Sequence, residues 1–203
     1  VRYADDCNVY VCSESAGQRV LASLERFLSQ RLRLKINRTK SGVGRPWQRS
    51  FLGYSVTSES EPRLRISLKA LERLKAKIRV KLRQGRGRAL SQTCASLSLH
   101  LRGWVGYYRL AQTPSLFERL DGWLRRRMRC LIWRHWKRST TRSRMILQQG
   151  VNPLREGTAA WLNRGPWAQA RSRAMTAALP ATWWYDHGLL SLSHEYRRLH
   201  RTT

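Results

Sequence analysis

Residues 1–12 read Val-Arg-Tyr-Ala-Asp-Asp-Cys-Asn-Val-Tyr-Val-Cys, which places the adjacent carboxylates of Asp5 and Asp6 between two apolar stretches. The alternation of Cys7, Val9 and Val11 is typical of a strand, so we predict a β-hairpin with the acidic pair at its turn. Carboxylates are ligands for hard cations such as Mg²⁺, and two such ions roughly 3.5–4 Å apart support phosphoryl transfer. Two neighbouring Asp do not complete such a site, and a solvated acidic turn is the alternative explanation.

The remainder of the first third predicts an α+β arrangement. Apolar residues at helical spacing predict a helix over 16–31, with Ser13 or Ser15 as its N-cap. Alternating or apolar runs predict short strands at 32–36, 51–56 and 64–66. A polar loop over 37–42 separates the first two of these strands.

From residue 67 onwards the pattern becomes helical and basic. One predicted helix carries the apolar stripe Leu68, Leu71, Leu74, Ile78 and Leu82. A second helix spans about 90–108. Thr113 and Pro114 form a helix start, and the helix that follows is predicted to bury Phe117, Leu120, Leu124, Met128, Leu131 and Ile132. Two short helices are predicted in the tail, near 166–178 and 191–200.

The charge of the chain indicates a polyanionic partner. Lys and Arg number 40 against 12 Asp and Glu, which gives a formal net charge of +28. Such an excess repels itself unless a polyanion is bound, so nucleic acid is the first partner to consider. The preference for Arg over Lys has two explanations of equal weight, bidentate phosphate contact and codon bias, but codon bias does not account for the net charge.

Cysteine and histidine usage argues against several classes of protein. The four Cys and five His show no metal-ligand spacing, which disfavours a zinc site or a disulfide framework and suits a reducing compartment. We see neither a signal peptide nor an apolar run of the roughly 18 residues that a membrane helix needs. These features favour a protein of a reducing cytosol.

The order of the N-terminal segments resembles the palm of a bacterial group II intron reverse transcriptase. The hairpin Tyr3-Ala4-Asp5-Asp6 is followed by a helix, by the segment 32–41 (Leu-Arg-Leu-Lys-Ile-Asn-Arg-Thr-Lys-Ser) and by Phe51-Leu52-Gly53-Tyr54. The resemblance implies that Asp5 and Asp6 are metal-site carboxylates and that Lys40 lies near the incoming nucleotide. For Lys40 an ordinary loop lysine is the alternative. It also implies that Phe51, Leu52, Gly53 and Tyr54 form the primer grip. For Phe51 and Leu52 a core role is an equal alternative.

The second half resembles the maturase-specific domain, also called X or thumb, of the same family. The motif is Leu101-Arg102-Gly103-Trp104-Val105-Gly106-Tyr107-Tyr108. Trp104 and Tyr108, four residues apart, are predicted to be buried. The predicted outward nucleic-acid contacts are Arg102, Tyr107, Arg125, Arg126, Arg129, Lys137 and Arg138. The tail resembles the C-terminal ends of some of these proteins, and we interpret its tryptophans as docking anchors.

These observations predict an α+β palm remnant at 1–66, a helical thumb or maturase domain at 67–150 and an irregular helical extension at 151–203. The resemblance implies RNA-directed DNA synthesis with two Mg²⁺ ions and dNTP on an RNA template–DNA primer duplex. It also implies intron RNA binding for splicing and mobility. We expect the chain to be the C-terminal part of such a protein, without polymerase activity by itself. The oligomeric state stays open.

Two other functions compete with this interpretation. A non-enzymatic basic RNA-binding protein explains the charge but not the ordered series of motifs. A DNA-binding module requires a recognition helix that mixes base-reading Asn or Gln with Arg, whereas residues 114–138 offer charge alone.

Overall fold

The computed structural model describes residues 1–3, 6–152 and 165–201. The chain divides into two compact units, Val1–Ser67 and Leu68–Thr203. The first holds two small antiparallel hairpins and one helix, and the second is helical. The predicted fold class, a small α+β part followed by a helical domain, is confirmed.

The first hairpin of the N-terminal unit is shorter than predicted. Strands β1 (Arg2–Tyr3) and β2 (Asp6–Cys7) are antiparallel, with Tyr3 opposite Asp6. Val9 and Val11 lie beyond β2 and are exposed, so alternation alone did not extend the strand. Helix α1 (Glu14–Arg31) follows, and the Ser13 hydroxyl accepts a hydrogen bond from the Ala16 amide at 3.2 Å, which confirms Ser13 as the N-cap.

The second hairpin pairs β3 (Tyr54–Val56) with β4 (Leu64–Ile66). The predicted strand at 51–56 is wrong over its first half, because Leu52 and Gly53 have φ angles of 51° and 79° and form a turn. The predicted strand at 32–36 does not form. Arg33 has a φ of 53°, which interrupts an extended chain, and Leu32 and Leu34 are exposed.

The helical unit contains, within its described residues, eight α-helices and a short 3-10 helix at Gly85–Gly87. The helices are α2 (Leu68–Gln84), α3 (Leu90–Tyr107), α4 (Pro114–His135), α5 (Ser139–Gln148), α6 (Pro166–Gln169), α7 (Arg173–Ala178), α8 (Ala181–Asp186) and α9 (Leu192–Arg201). Helices α5 and α8 were not predicted.

Apolar stripes on α2, α3 and α4 form the core of this unit. All six residues that the spacing of α4 predicted to be inside are buried. On α2 the stripe is buried at Leu74, Ile78 and Leu82, whereas Leu68, the first residue of the helix, is 77% exposed. Pro114 occupies the first turn of α4 as predicted, but Thr113 makes no side-chain cap.

A buried carboxylate fastens α9 to α4. Asp121 is 3% exposed, and its Oδ1 accepts a hydrogen bond from the Leu192 amide at 2.8 Å. Its Oδ2 accepts from the Ser193 amide at 3.0 Å, the Ser193 hydroxyl at 2.7 Å and the Ser191 hydroxyl at 3.0 Å. Asp121 therefore satisfies amide groups at the start of α9 that the helix itself leaves unpaired.

Aromatic and ionic contacts continue this attachment along α9. The rings of Tyr196 and Phe117 stack with centroids 4.3 Å apart, and the Tyr196 hydroxyl donates to the Ala111 carbonyl at 2.6 Å. Arg197 forms an ion pair with Glu118 of α4. The end of the tail is thus part of the packed helical unit.

Candidate nucleic-acid interface

The acidic hairpin presents one of its two predicted carboxylates. Asp6 begins β2 and is exposed, while Asp5 lies outside the described residues. Within the described residues no group of three His, Cys, Asp or Glu side chains could hold a metal ion. Of the two predicted Mg²⁺ ligands, the described residues therefore place Asp6 alone.

The other predicted polymerase residues lie in loops and turns of the N-terminal unit. Lys40 is exposed, in a turn closed by a hydrogen bond from its amide to the Asn37 carbonyl at 3.0 Å. Phe51 and Tyr54 are joined by two backbone hydrogen bonds of 2.9 Å, with Leu52 and Gly53 at the tip between them. The predicted primer-grip residues thus form one hydrogen-bonded turn, in which Leu52 is 37% exposed.

The predicted contacts on α3 face outward. Arg102 has a side chain 63% exposed, and its Nε lies 3.9 Å from Oε1 of Glu195. Tyr107 is 55% exposed, and its ring meets the ring of Tyr108 edge-on at 4.8 Å. Tyr108 is 6% exposed, as its position in the stripe predicted. Lys137 and Arg138, just after α4, are also exposed.

The predicted arginines of α4 donate to the tail. Arg126 donates from Nε and Nη2 to the Trp167 carbonyl at 3.3 and 3.0 Å. Arg129 donates to two tail carbonyls, those of Ala170 at 2.9 Å and Leu179 at 3.3 Å. Burial lowers the pKa of Arg129, with further lowering by Arg125 and Arg126. These guanidinium groups hold tail backbone, a role that sequence reasoning missed because the partners lie 41 and 50 residues away.

Arg125 makes fewer hydrogen bonds to the tail than Arg126 or Arg129 does. Its Nη1 donates to the Tyr185 hydroxyl at 3.2 Å, and the bond lies at the exposed surface. Among the three predicted arginines of α4, Arg125 therefore keeps the most donors available for a ligand.

A cluster of cations around two indoles was not predicted. We call it the two-tryptophan cluster, and its members are Lys75, Arg79, Trp123, Arg126, Arg127 and Trp167. Arg127 lies between the indoles, with Cζ 5.4 Å from the Trp123 ring centroid and 4.4 Å from that of Trp167. Burial lowers the pKa of Arg127, and the positive charges of Arg79, Arg134 and Arg126 lower it further. The spacing of Lys75, Arg79, Trp123 and Arg127, each pair four residues apart on a helix, was the signal available in the sequence.

Comparison with known protein families finds a match within the helical unit. Residues 71–149 match the family model of the group II intron maturase-specific domain. A search of curated proteins found no match to the chain. No helix within the described ranges is both long and apolar enough to cross a membrane. The match covers α2 to α5 almost completely, so this part of the chain is similar to the maturase-specific domain of group II introns.

Proposed function

We propose that this chain binds its group II intron RNA through the helical unit and thereby assists the folding of the intron for splicing. The observation that carries the proposal is the coincidence of the family match with the basic helices α2 and α4. Dense positive charge on a packed scaffold favours phosphate contacts along a folded RNA.

Binding to the intron is tested by a salt titration with the purified chain. We expect log K for the group II intron RNA to fall linearly with log[salt], by about 0.7–0.9 for each phosphate contacted. The intron RNA is compared with an unrelated structured RNA and with a DNA duplex of equal length. Equal affinity for both RNAs favours a general basic RNA-binding protein, and tighter binding to the DNA duplex favours a DNA-binding module.

We further propose that the N-terminal unit belongs to the palm of a reverse transcriptase. Its support is the order of elements: an antiparallel hairpin at the acidic pair, then α1, then the turn at Phe51–Tyr54 and the second hairpin. Large apolar side chains on this unit are also exposed, among them Val9, Tyr10, Phe27 and Leu34. Several large apolar side chains exposed on one small unit favour an interaction partner, which further palm strands would supply.

The polymerase proposal includes the ligands that the chemistry requires. In the complete enzyme Asp5 and Asp6 would join a further carboxylate to hold Mg²⁺, and Lys40 would neutralise the triphosphate of a dNTP. The partner of the primer-grip turn would be the RNA template–DNA primer duplex. Mobility of the intron by copying RNA into DNA follows from the same proposal.

The present chain is expected to lack polymerase activity. Purified protein is incubated with an RNA template, a DNA primer, dNTP and Mg²⁺, and the primer is resolved by length. Extension by this chain, abolished by Asp6→Asn, would show that the 203 residues suffice for catalysis. No extension is the expected result.

A further inference from the structure

We infer that the two-tryptophan cluster is a binding surface for the RNA phosphate backbone, in which the indoles orient the cations and do not stack on bases. The inference rests on the proposed function, since it names the contact surface and the chemical group that this surface recognises.

Cations from two helices surround the ring of Trp123. Lys75 Nζ and Arg79 Cζ of α2 each lie 5.8 Å from the centroid of its ring. Arg127, on the same helix as Trp123, lies 5.4 Å from it. An indole face attracts cations, so it restrains side chains that would otherwise sample many rotamers.

Trp167 of α6 holds a second pair of cations. Arg126 Cζ lies 3.7 Å and Arg127 Cζ 4.4 Å from its ring centroid. The backbone of Trp167 is fixed as well, because Arg126 donates to its carbonyl. Arg127 is therefore placed between two indoles that belong to different helices.

Within the described ranges, the cations of this cluster have no carboxylate at ion-pair distance. The buried Nε of Arg127 also has no hydrogen-bond partner there. Like charges held together in this way raise the free energy of the unliganded protein, and an anion lowers it.

The ligand group is a phosphate because the aromatic faces already carry cations. A base needs an open π-face to stack, and guanidinium groups stand 3.7 to 5.8 Å from these ring centroids. Guanidinium and ammonium groups donate well to phosphate oxygens, which every nucleotide carries. Binding at this surface is therefore independent of base sequence and strongly dependent on salt.

The test compares two double variants of the full chain that lose the same charge from the same helix. Lys75→Gln/Arg79→Gln removes two cluster cations, whereas the control Lys69→Gln/Lys77→Gln removes two lysines from other faces of α2. The first variant should lower the slope of log K against log[salt] for intron RNA by about 1.4–1.8, which is an affinity loss of about 25- to 60-fold at 0.1 M salt. The control should lower the slope by less than the first variant does. Equal slopes for the two variants overturn the inference.

A second experiment tests whether the Trp123 indole orients cations or stacks on bases. Trp123→Leu is titrated with single-stranded oligo-uridine and with an RNA duplex, after circular dichroism has established that it folds. Loss of affinity by the same factor for both RNAs is expected, since both present phosphates. A loss confined to the single strand would show that bases stack on the indole and would overturn the inference.

The two proposals fail in different ways. If wild-type protein does not prefer intron RNA, the proposed function is wrong whatever the variants show. If it does prefer intron RNA while Lys75→Gln/Arg79→Gln binds with the wild-type slope, the proposed function stands and the assignment of this surface is overturned.

Discussion

Replacing Asp121 with Ala should weaken the attachment of α9 to α4. The substitution leaves the amides of Leu192 and Ser193 without their acceptor, and both groups lie in a packed region. Each unsatisfied buried donor costs about 1–3 kcal/mol, so the free energy of unfolding should fall by about 2–6 kcal/mol. That is a large part of the roughly 5–15 kcal/mol that stabilises a typical domain.

Asp121→Asn distinguishes two opposing effects of the buried carboxylate. Burial of a charge is costly, and no cation lies within ion-pair distance of Asp121 among the described residues. Four donors nevertheless point at its two oxygens. An amide retains one oxygen and turns an NH₂ group toward a donor, so we expect Asn to lose about 1–3 kcal/mol, the cost of one unsatisfied amide.

The measurement is urea unfolding followed by circular dichroism, together with hydrogen exchange of the Leu192 amide. The matched control is Asp186→Ala at an exposed carboxylate, which should change stability by less than about 0.5 kcal/mol. If Asp121→Asn is as stable as the wild-type chain or more stable, desolvation outweighs the hydrogen bonds and the reasoning is refuted.

Three further substitutions test the attachment of the tail. The Glu195 pKa is lowered by the hydrogen bond from Arg198, so its ionised form stabilises the fold above the unfolded pKa of about 4.3, and this contribution disappears as the pH falls through the folded pKa. Glu195→Gln should accordingly destabilise the chain at pH 7 and reduce the loss of melting temperature between pH 7 and pH 3. Arg129→Met should expose the tail to protease, because the Ala170 carbonyl loses the Arg129 donor and the Leu179 carbonyl keeps the Trp184 donor without that of Arg129, while the aliphatic packing is kept. Tyr196→Phe removes the hydrogen bond to the Ala111 carbonyl and should cost about 1–2 kcal/mol in urea unfolding, and an unchanged midpoint would contradict the role of that hydroxyl.

The sequence correctly predicted elements whose ends and buried faces are marked by local residue patterns. Helix α4 has Pro114 in its first turn and a continuous apolar stripe, and its buried residues were predicted in full. Helix α5 was missed because Ile146 is its single buried residue, which leaves no stripe to recognise. The strand predicted at 32–36 failed because alternation does not reveal whether a neighbouring strand exists, and Arg33 adopts a left-handed conformation.

Individual side-chain contacts could not be predicted where the two partners lie far apart in the sequence. Charge alone could not show that Arg126 and Arg129 turn toward the tail, since their acceptors are backbone carbonyls distant in sequence. The interpretation of the tail tryptophans as docking anchors agrees with Trp184, which is fully buried and donates to the Leu179 carbonyl at 3.2 Å.

The acidic residues of the helical unit are unevenly distributed, which the net charge does not show. Its described residues include five carboxylates, at Glu72, Glu118, Asp121, Asp186 and Glu195. Three of them lie on α9 or contact it: Glu195 and Glu118 pair with cations of α9, and Asp121 caps the helix. Screening confines the influence of an exposed charge to roughly 10 Å at 0.1 M salt, so local pairing and not the total of +28 decides where a polyanion binds. The cations of α9 are partly neutralised, whereas those of the two-tryptophan cluster have no carboxylate partner among the described residues. We therefore expect RNA to bind at the cluster on α2, α4 and α6 in preference to α9.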